Sequence, residues 1–317
     1  MKYTHILVDG NFLAWKSWFV HKNLSVICNN RILHTGVAYG FLTSLLHINR
    51  EWLEKNNGKI IICWDKGHTR KSKLYSKYKE RRKKNRDEKE YKKFQKQLKL
   101  LKKILKFTSV YSAYCDGEEG DDVIATLAKQ IVKKQKKARV LIISSDKDFY
   151  QLIDSRIHQM YKSDSRNEKI YDPESFKSKF EFYPEKYLAI QLMTGCDSDD
   201  VPGVKGIGDK TSSKLLKEMS EDDIKGFIEH PGYFIPKVLI NWMEKRKLLT
   251  TKKWQTVKQQ EDFFGMTVKL LKPATNLNVK IIRGKNNEDY LTDLFVKYEF
   301  ISLLKDEKID CLLRKKK

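Results

Sequence analysis

Near the N-terminus, His5-Ile6-Leu7-Val8 is a short apolar run that stops on Asp9, and the pattern returns twice. Ile60-Ile61-Ile62-Cys63-Trp64 leads to Asp65, and Val140-Leu141-Ile142-Ile143-Ser144-Ser145 leads to Asp146. Continuous runs of this length, rich in β-branched residues, read as strands buried on both faces. Helical patterns lie between them. The order strand, helix, strand, helix, strand predicts an α/β fold with a central, mostly parallel sheet flanked by helices. In open sheets of this class, sites form at the carboxyl ends of the strands. Any one of these aspartates reads most simply as a helix N-cap. Three in register point to a shared rim.

A second acidic group needs an explanation on a chain this basic. Asp116-Gly117-Glu118-Glu119-Gly120-Asp121-Asp122 opens a helix that continues through Val123-Ile124-Ala125. The helix dipole favours an acid in the first turn by roughly 0.3–1 kcal/mol. That accounts for one or two acids but not for four within five residues, because like charges so close repel unless a cation sits among them. Together with Asp9, Asp65, Asp146, Asp148 and the group Asp197-Ser198-Asp199-Asp200, they form a basin of carboxylates. Oxygen-only ligands suit hard ions such as Mg²⁺ or Mn²⁺, and zinc is disfavoured without nearby His or Cys pairs. Mg²⁺ takes one or two direct carboxylates, so this basin predicts two or more ions with some acids further out. Two ions roughly 3.5–4 Å apart can clamp a phosphodiester.

Residues 67–103 change character. Lysine and arginine crowd the segment, and its second half carries an amphipathic stripe of Tyr91, Phe94, Leu98, Leu101 and Leu105. A basic segment over 67–86 followed by a docked helix is expected, with a solvated lysine-rich hairpin as the plain alternative. A helix over 184–193 leads to the loop Thr194-Gly195-Cys196-Asp197-Ser198-Asp199-Asp200-Val201-Pro202-Gly203. Gly203-Val204-Lys205-Gly206-Ile207-Gly208-Asp209-Lys210-Thr211 then opens another helix. Such a turn frees backbone N–H groups for an anion. The spacing is not that of a nucleotide P-loop. A tight helix–helix turn would account for it, but after an acidic loop on a basic protein, backbone contact with duplex phosphates is the better reading. Further on, helix is expected near 236–249 and 287–305, with mixed structure near 263–283.

With 64 Lys+Arg against 41 Asp+Glu, the formal net charge is +23, which suits a polyanionic partner through counterion release. A codon-driven lysine-rich surface is the bland alternative. Hydrophobic residues make up 40% of 317, enough for one substantial core and a smaller module. Cys28, Cys63, Cys115, Cys196 and Cys311 are odd in number and form no CxxC pair, which argues against a disulfide framework and a structural zinc site. No signal peptide or bilayer-length apolar run is visible. A cytoplasmic protein with no membrane partner is expected.

Taken in order, these runs resemble the flap endonuclease and 5′–3′ exonuclease family, which includes the N-terminal nuclease of bacterial DNA polymerase I and the phage 5′ nucleases. The matching stretches are Leu7-Val8-Asp9-Gly10-Asn11, Trp64-Asp65-Lys66-Gly67, Tyr78-Lys79-Glu80-Arg81-Arg82 and Glu119-Gly120-Asp121-Asp122. They continue with Ser145-Asp146-Lys147-Asp148-Phe149-Tyr150-Gln151-Leu152, Asp199-Asp200-Val201-Pro202-Gly203 and Gly206-Ile207-Gly208-Asp209-Lys210-Thr211. Residues 78–90 look especially like the phage members. The resemblance covers residues 1–216. It implies a PIN/FEN-like fold with a helical arch over 67–105 and a helix-three-turn-helix module.

By matching position, the resemblance assigns Asp9, Asp65, Glu119, Asp121 and Asp122 to the more central metal site. Asp146, Asp148 and Asp199 complete it or hold a second ion. Lys79 and Arg82 match the basic pair at the foot of the arch that contacts the scissile phosphate. Tyr78 either stacks on an unpaired base or packs at the arch base. Gly203, Lys205, Gly206, Gly208, Lys210 and Thr211 match the turn that grips duplex DNA and holds a potassium ion. One departure stands out. The family reads Gly-Asp-x-x-Asp in the last acidic loop, and here Cys196 takes the first aspartate's place. Asp197 is expected to assume its role, so that Asp197→Asn would weaken cleavage more than Cys196→Ser.

The implied organisation is a nuclease core over 1–190, the helix-three-turn-helix region over 191–260, and a C-terminal region over 261–317 that packs back on the core and ends in the basic tail Arg314-Lys315-Lys316-Lys317. The implied activity is structure-selective, two-metal 5′ nuclease cleavage of DNA bearing a 5′ flap, a nick or an RNA primer, in replication and repair. A monomer is expected, with replication proteins and a separate polymerase as partners, in the host cytoplasm if phage-encoded. The alternatives are a catalytically silent helix-hairpin-helix DNA-binding relative, against which the acids argue, and a PIN-like ribonuclease, against which the 203–216 turn argues.

Overall fold

The computed structural model describes residues 1–28, 30–54, 58–162, 168–204, 206–245 and 261–313. Lys205 and the tail over 314–317 lie outside the described residues.

The three Asp-terminated runs are neighbours. They form β1 (His5–Asp9), β4 (Lys59–Cys63) and β6 (Val140–Ile143), with β1 in the middle and parallel to both. Strands β5 (Tyr111–Tyr114) and β7 (Ile157–Lys162) extend the parallel set on either side. The antiparallel strands β8 (Glu168–Tyr171) and β11 (Lys280–Arg283) close a seven-stranded sheet in the order β11-β5-β4-β1-β6-β7-β8. Asp9 stands opposite Cys63 and Val8 opposite Ile143. The strand ends are therefore flush, and Asp9, Asp65 and Asp146 leave on one rim.

Why these runs are apolar without interruption follows from what covers them. Ile6, Val8, Ile60, Ile62, Leu141 and Ile143 join one core with helices α1 (Gly10–His21), α2 (Gly36–Trp52) and the distant α5 (Glu88–Leu105). Leu7, Ile61, Val140 and Ile142 face the other way, against α6 (Gly120–Lys134). Alternate residues thus serve opposite layers. The third run ends sooner than its sequence predicts. Gln159 on β7 donates to the carbonyls of Ser144 at 2.9 Å and Asp146 at 2.7 Å, which turns residues 144–146 out of the ladder.

The basic segment folds as α3 (Arg70–Leu74), α4 (Glu80–Lys84) and α5. Asp87 caps α5 by accepting from the amides of Lys89 at 2.8 Å and Glu90 at 3.1 Å, and Lys102 and Lys103 sit in its last turn. Both ends suit the helix dipole. Phe94, Leu98, Leu101, Ile104 and Leu105 are buried against the first core, so the expected helix is docked as its stripe requires. Unforeseen is a hairpin of β2 (Ser25–Cys28) and β3 (Arg31–His34) that leaves Ile27 and Ile32 exposed.

A second core gathers α7 (Pro173–Phe180), α8 (Tyr187–Thr194), α9 (Asp209–Glu218), α10 (Glu221–Glu229), α11 (Pro231–Lys245) and α12 (Glu261–Leu271). The region beyond 261 is divided between the two cores. Phe264, Leu270 and Leu271 of α12 belong to the second, whereas β11 pairs with β5, and α13 (Glu288–Lys297) and α14 (Asp306–Leu313) join the first.

Strands β9 (Gly195–Cys196) and β10 (Val201–Pro202) form a tight ribbon between α8 and α9. A Cβ on Gly203 would lie 2.2 Å from the Thr194 carbonyl carbon and 2.5 Å from the Gly195 nitrogen, both backbone atoms that cannot step aside. Gly203→Ala is expected to destabilise the protein by about 2 kcal/mol through overpacking, read as a lower urea midpoint. An unchanged midpoint would mean that the ribbon opens without strain.

Candidate active site

Each acid reaches the rim on a different element. Asp9 ends β1, and its Oδ1 accepts from the Phe12 amide at 2.9 Å, capping α1, while Ser144 Oγ donates to its Oδ2 at 3.0 Å. The N-cap and site readings of Asp9 are thus compatible. Asp65 follows β4 and accepts from the Gly120 amide at 2.7 Å, which ties it to the start of α6. Glu119 is the residue before α6, and Asp121 lies in that helix's first turn. Asp146 accepts from the amide of Asp148 at 2.8 Å, and Asp148 itself is buried.

Their electrostatics share one cause. Burial, with the charges of Asp65 and Asp146 added, pushes the Asp9 carboxyl up to about 7 from an ordinary 3.8. Asp65 is open to solvent on one side, yet desolvation by the protein around it, with the Glu119 charge, raises it. Burial followed by neighbouring carboxylates also raises Asp121, Asp146 and Asp148. Asp121 feels Asp146 and Asp9; Asp148 feels Asp146 and Asp199. The five acids therefore share one negative centre that Lys79 and Lys71 offset only in part.

Glu119 behaves differently. Burial would raise it, but the ammoniums of Lys79 and Lys71 and the Tyr78 hydroxyl outweigh that effect and hold it below the usual glutamate range. Lys79 Nζ lies 2.9 Å from Glu119 Oε1 and 3.8 Å from Asp199 Oδ2. Tyr78 donates at 2.9 Å to both Glu119 Oε2 and Asp199 Oδ2 and is only 1% exposed. Of the two expectations for Tyr78, the structure supports packing at the arch base; a ring so buried has no face for an unpaired base. Arg82 lies at the mouth, 59% exposed, with Nη2 3.3 Å from Asp199 Oδ1.

Two expected ligands are placed elsewhere. Asp122 is fully buried but points behind the rim, where it accepts from the Ala274 amide at 2.7 Å and lies 3.3 Å from Lys71 Nζ and 3.6 Å from Arg70 Nη2. Helical geometry explains this, because successive residues on α6 point about 100° apart and only Asp121 faces the centre. Asp197 is fully exposed and approaches only Arg81, at 4.0 Å. Cys196 is the inner residue instead. Its thiol is pushed up to about 12 by burial and by the charges of Asp148 and Asp199.

Sequence reading also missed Lys71, 2% exposed and 3.5 Å from Glu119, which looks like any other lysine of a basic run. Ser144 and Gln159 were hidden for the same reason: neither is unusual until the strand ends bring them to Asp9 and Asp146.

In the turn, Gly206 has φ +85 and Gly208 precedes α9. Gly206, Gly208 and Lys210 are exposed and Thr211 is half-buried, so the N-terminus of α9 is accessible. The Thr211 and Ser212 amides are both directed to the Gly208 carbonyl, at 3.0 and 2.9 Å.

The donor set fits hard divalent cations, since it is all carboxylate oxygen and its acids are raised by burial and by one another's charge. Among the described residues no three His, Cys, Asp or Glu side chains already form a ready-made cage. Asp9, Asp65, Asp121, Asp146, Asp148 and Asp199 are the acids that could hold such cations, while Glu119, a third expected ligand, is paired with Lys79 and Lys71.

Residues 4–181 of the 317 match the family described as 5′-3′ exonuclease, N-terminal resolvase-like domain. The 5′-3′ exonuclease of Buchnera aphidicola is 34% identical over 217 residues, 68% of this chain and 70% of that protein. The thermostable DNA polymerase I of Thermus aquaticus is 32% identical over 214 residues, which are 67% of this chain but only 24% of the polymerase. The chain thus spans about a quarter of the length of such polymerase relatives. Among solved structures, the flap endonuclease of bacteriophage T5, in complex with DNA and metal ions, superposes with a TM-score of 0.64 over 98% of this chain and 96% of that one, at 18% identity. Flap endonuclease-1 of Methanococcus jannaschii gives 0.55 over 99% and 92%, at 13% identity. At such identities the likeness is one of fold. With more than half of its length matched by the family model, and with its acids on the rim that this fold builds, the chain belongs to the 5′–3′ exonuclease family.

Proposed function

We propose that this protein is a metal-dependent, structure-selective 5′ nuclease that hydrolyses phosphodiesters in branched or nicked DNA. The observation that carries this reading is the shared, only partly compensated carboxylate centre at the ends of β1, β4 and β6, with Lys79 and Arg82 at its edge. Bound Mg²⁺ or Mn²⁺ would supply Lewis-acid stabilisation of the phosphate under attack. Asp9, Asp65, Asp121, Asp146, Asp148 and Asp199 would hold the ions. Arg82 reaches an incoming phosphate from the mouth, and Lys79 beside it offsets charge that develops on the phosphoryl oxygens. Tyr78 keeps Glu119 and Asp199 in place rather than touching DNA.

The duplex would lie along the turn, meeting the backbone at Gly203, Gly206 and Gly208 and the side chains of Lys210 and Thr211, with a potassium ion in the turn; Lys205, a further expected contact, lies outside the described residues. Contacts of this kind read shape and charge but not sequence. Flap, nick and RNA-primer removal would be activities of one site. Replication proteins would be the partners. Among the described residues, no helix is long and apolar enough to cross a membrane.

The decisive assay digests a labelled 5′-flap, a nicked duplex and an RNA–DNA hybrid with Mg²⁺, beside Asp121→Asn. Cutting of the flap by the parent and none by the variant is expected. Unchanged cutting by the variant would remove the site.

The outward placement of Asp197 bears on the expectation that Asp197→Asn weakens cleavage more than Cys196→Ser. Asp199→Asn should slow flap cutting by at least about 10-fold, whereas Asp197→Asn should leave the rate unchanged. Rates in the reverse order would return Asp197 to the site.

The raised acids also set a pH dependence. In the folded protein Asp9 keeps its proton to about pH 7, while the unfolded chain releases it near 3.8. Between those values the metal-free fold binds more protons than the unfolded chain, so stability falls as pH rises through the window. Asp65, Asp121, Asp146 and Asp148 act in the same sense, and Glu119 opposes them. The metal-free protein should resist urea better at about pH 5 than at about pH 7.5, and Mg²⁺ should abolish the difference. A metal-free midpoint that climbs steadily with pH would contradict this.

A further inference from the structure

Asp148 lies in the first turn of the 3₁₀ segment Lys147–Leu152, and its carboxylate is buried in the acid basin. Gln191 on α8, 4% exposed, presents Nε2 to Asp148 Oδ1 at 2.5 Å. Gln151 in turn places its Nε2 at 3.4 Å from Gln191 Oε1 and 3.0 Å from the Leu271 carbonyl oxygen, at the end of α12. The direction of this chain is fixed from its far end. A backbone carbonyl only accepts, so Gln151 must turn its amide nitrogen toward Leu271. That same nitrogen then donates to Gln191 Oε1, which obliges Gln191 to show its own nitrogen to Asp148, whatever the protonation of that acid.

The anchor of the chain is itself held. Ala274 donates to Asp122 Oδ1 at 2.7 Å and accepts from Thr126 Oγ1 at 2.9 Å, and Arg70 Nη1 lies 3.5 Å from the Lys269 carbonyl. Residues 269–274 are thus docked against both α3 and α6. We propose that Gln191, oriented by Gln151, is the positioning residue for Asp148, and that this relay makes the C-terminal end of α12 a control point for the acid basin. Such outer partners fix the direction of a ligand's lone pairs and are worth a large part of metal affinity. The relay joins the second core, which carries the turn, to the rim of the first. Its effect on cutting rests on the nuclease reading above; its effect on cation binding does not.

The test uses the full chain, stripped of metal and titrated with Mn²⁺ by calorimetry, as parent, Gln191→Leu, Gln151→Leu and the double variant. Metal-free thermal midpoints serve as the control for folding. Each single variant should bind Mn²⁺ about 10-fold more weakly, and the double variant no more weakly than either single one, because a relay fails as a unit. Gln151→Glu keeps the size of the side chain but cannot donate, so it should reproduce the loss if Gln151→Leu does not fold. Parental Mn²⁺ affinity in both singles, or penalties that add, would overturn the relay. Weakened Mn²⁺ binding in the singles with no flap cutting by the parent would sink the nuclease reading and leave the relay standing. Flap cutting by the parent with superimposable isotherms would do the reverse.

Discussion

Mutual repulsion among buried carboxylates is the constraint around which this molecule is arranged. Asp9, Asp121, Asp146 and Asp148 are drawn together by the flush ends of parallel strands and the N-terminus of α6, and every one is raised by burial first and by its neighbours' like charge second. No fold gathers such groups for stability, since each ionised carboxylate taken out of water costs several kcal/mol. The protein compensates part of the charge with its own cations and leaves the rest open to a mobile one. The line between the two runs through α6: Glu119 and Asp122 are matched by Lys79, Lys71 and Arg70, and Asp121, between them in sequence, faces the acids instead.

That partition explains the geometry of the arch's foot. Lys79 adopts φ +55, a left-handed conformation unusual for a lysine. It is held from both sides: its amide donates to the Asp199 carbonyl at 3.0 Å, and its Nζ pairs with Glu119. The turn this produces sends the Tyr78 hydroxyl inward between Glu119 and Asp199 and starts α4, which carries Arg82 to the mouth. Strain of this kind, of order 1–3 kcal/mol, persists where the surroundings over-determine it. Three elements far apart in sequence are fastened here at one point, so the basic segment enters the site as part of its wall.

How far all this could be read from the chain depends on the range of the interactions concerned. The sheet was legible, since Ile60-Ile61-Ile62 must be apolar at every position when both faces are covered, and that is a local pattern. The Asp at each strand end was legible for the same reason. The α5 stripe was also local and held. What could not be read was direction across distance. Asp121 and Asp122 are equally acidic, and only the rotation of α6 against the sheet separates an acid of the centre from a structural ion pair. Lys71, Gln151, Gln159 and Gln191 carry no signal in sequence, because their roles exist only once distant backbones have met. Tyr78 was ambiguous because a tyrosine can stack or donate, and burial alone decides. The resemblance to known nucleases supplied order and spacing, and at Asp197, where this chain departs from the usual pattern, the side chain faces outward.

The outward turn of Asp197 has a physical cause in the loop itself. Residues Asp197–Asp199 form a single 3₁₀ turn, and at three residues per turn the first and third side chains point about 120° apart. The turn is oriented by its ends. Cys196 pairs with Val201 across the short ribbon, and Asp200, at φ +57, is anchored to the Arg81 amide at 2.9 Å. With both ends fixed, Asp199 must turn inward to Tyr78 and Lys79, and Asp197 must turn out. Cys196 then occupies the inner position that the family resemblance assigns to an aspartate, as a thiol kept protonated by burial and by the charges of Asp148 and Asp199. Losing one negative charge there lessens the repulsion that Asp148 and Asp199 feel, but it also removes one hard oxygen from that corner. The basin is therefore asymmetric, with oxygen donors crowded around Asp9, Asp65, Asp121 and Asp146 and a poorer, softer corner by Cys196, where the aim of Asp148 matters most.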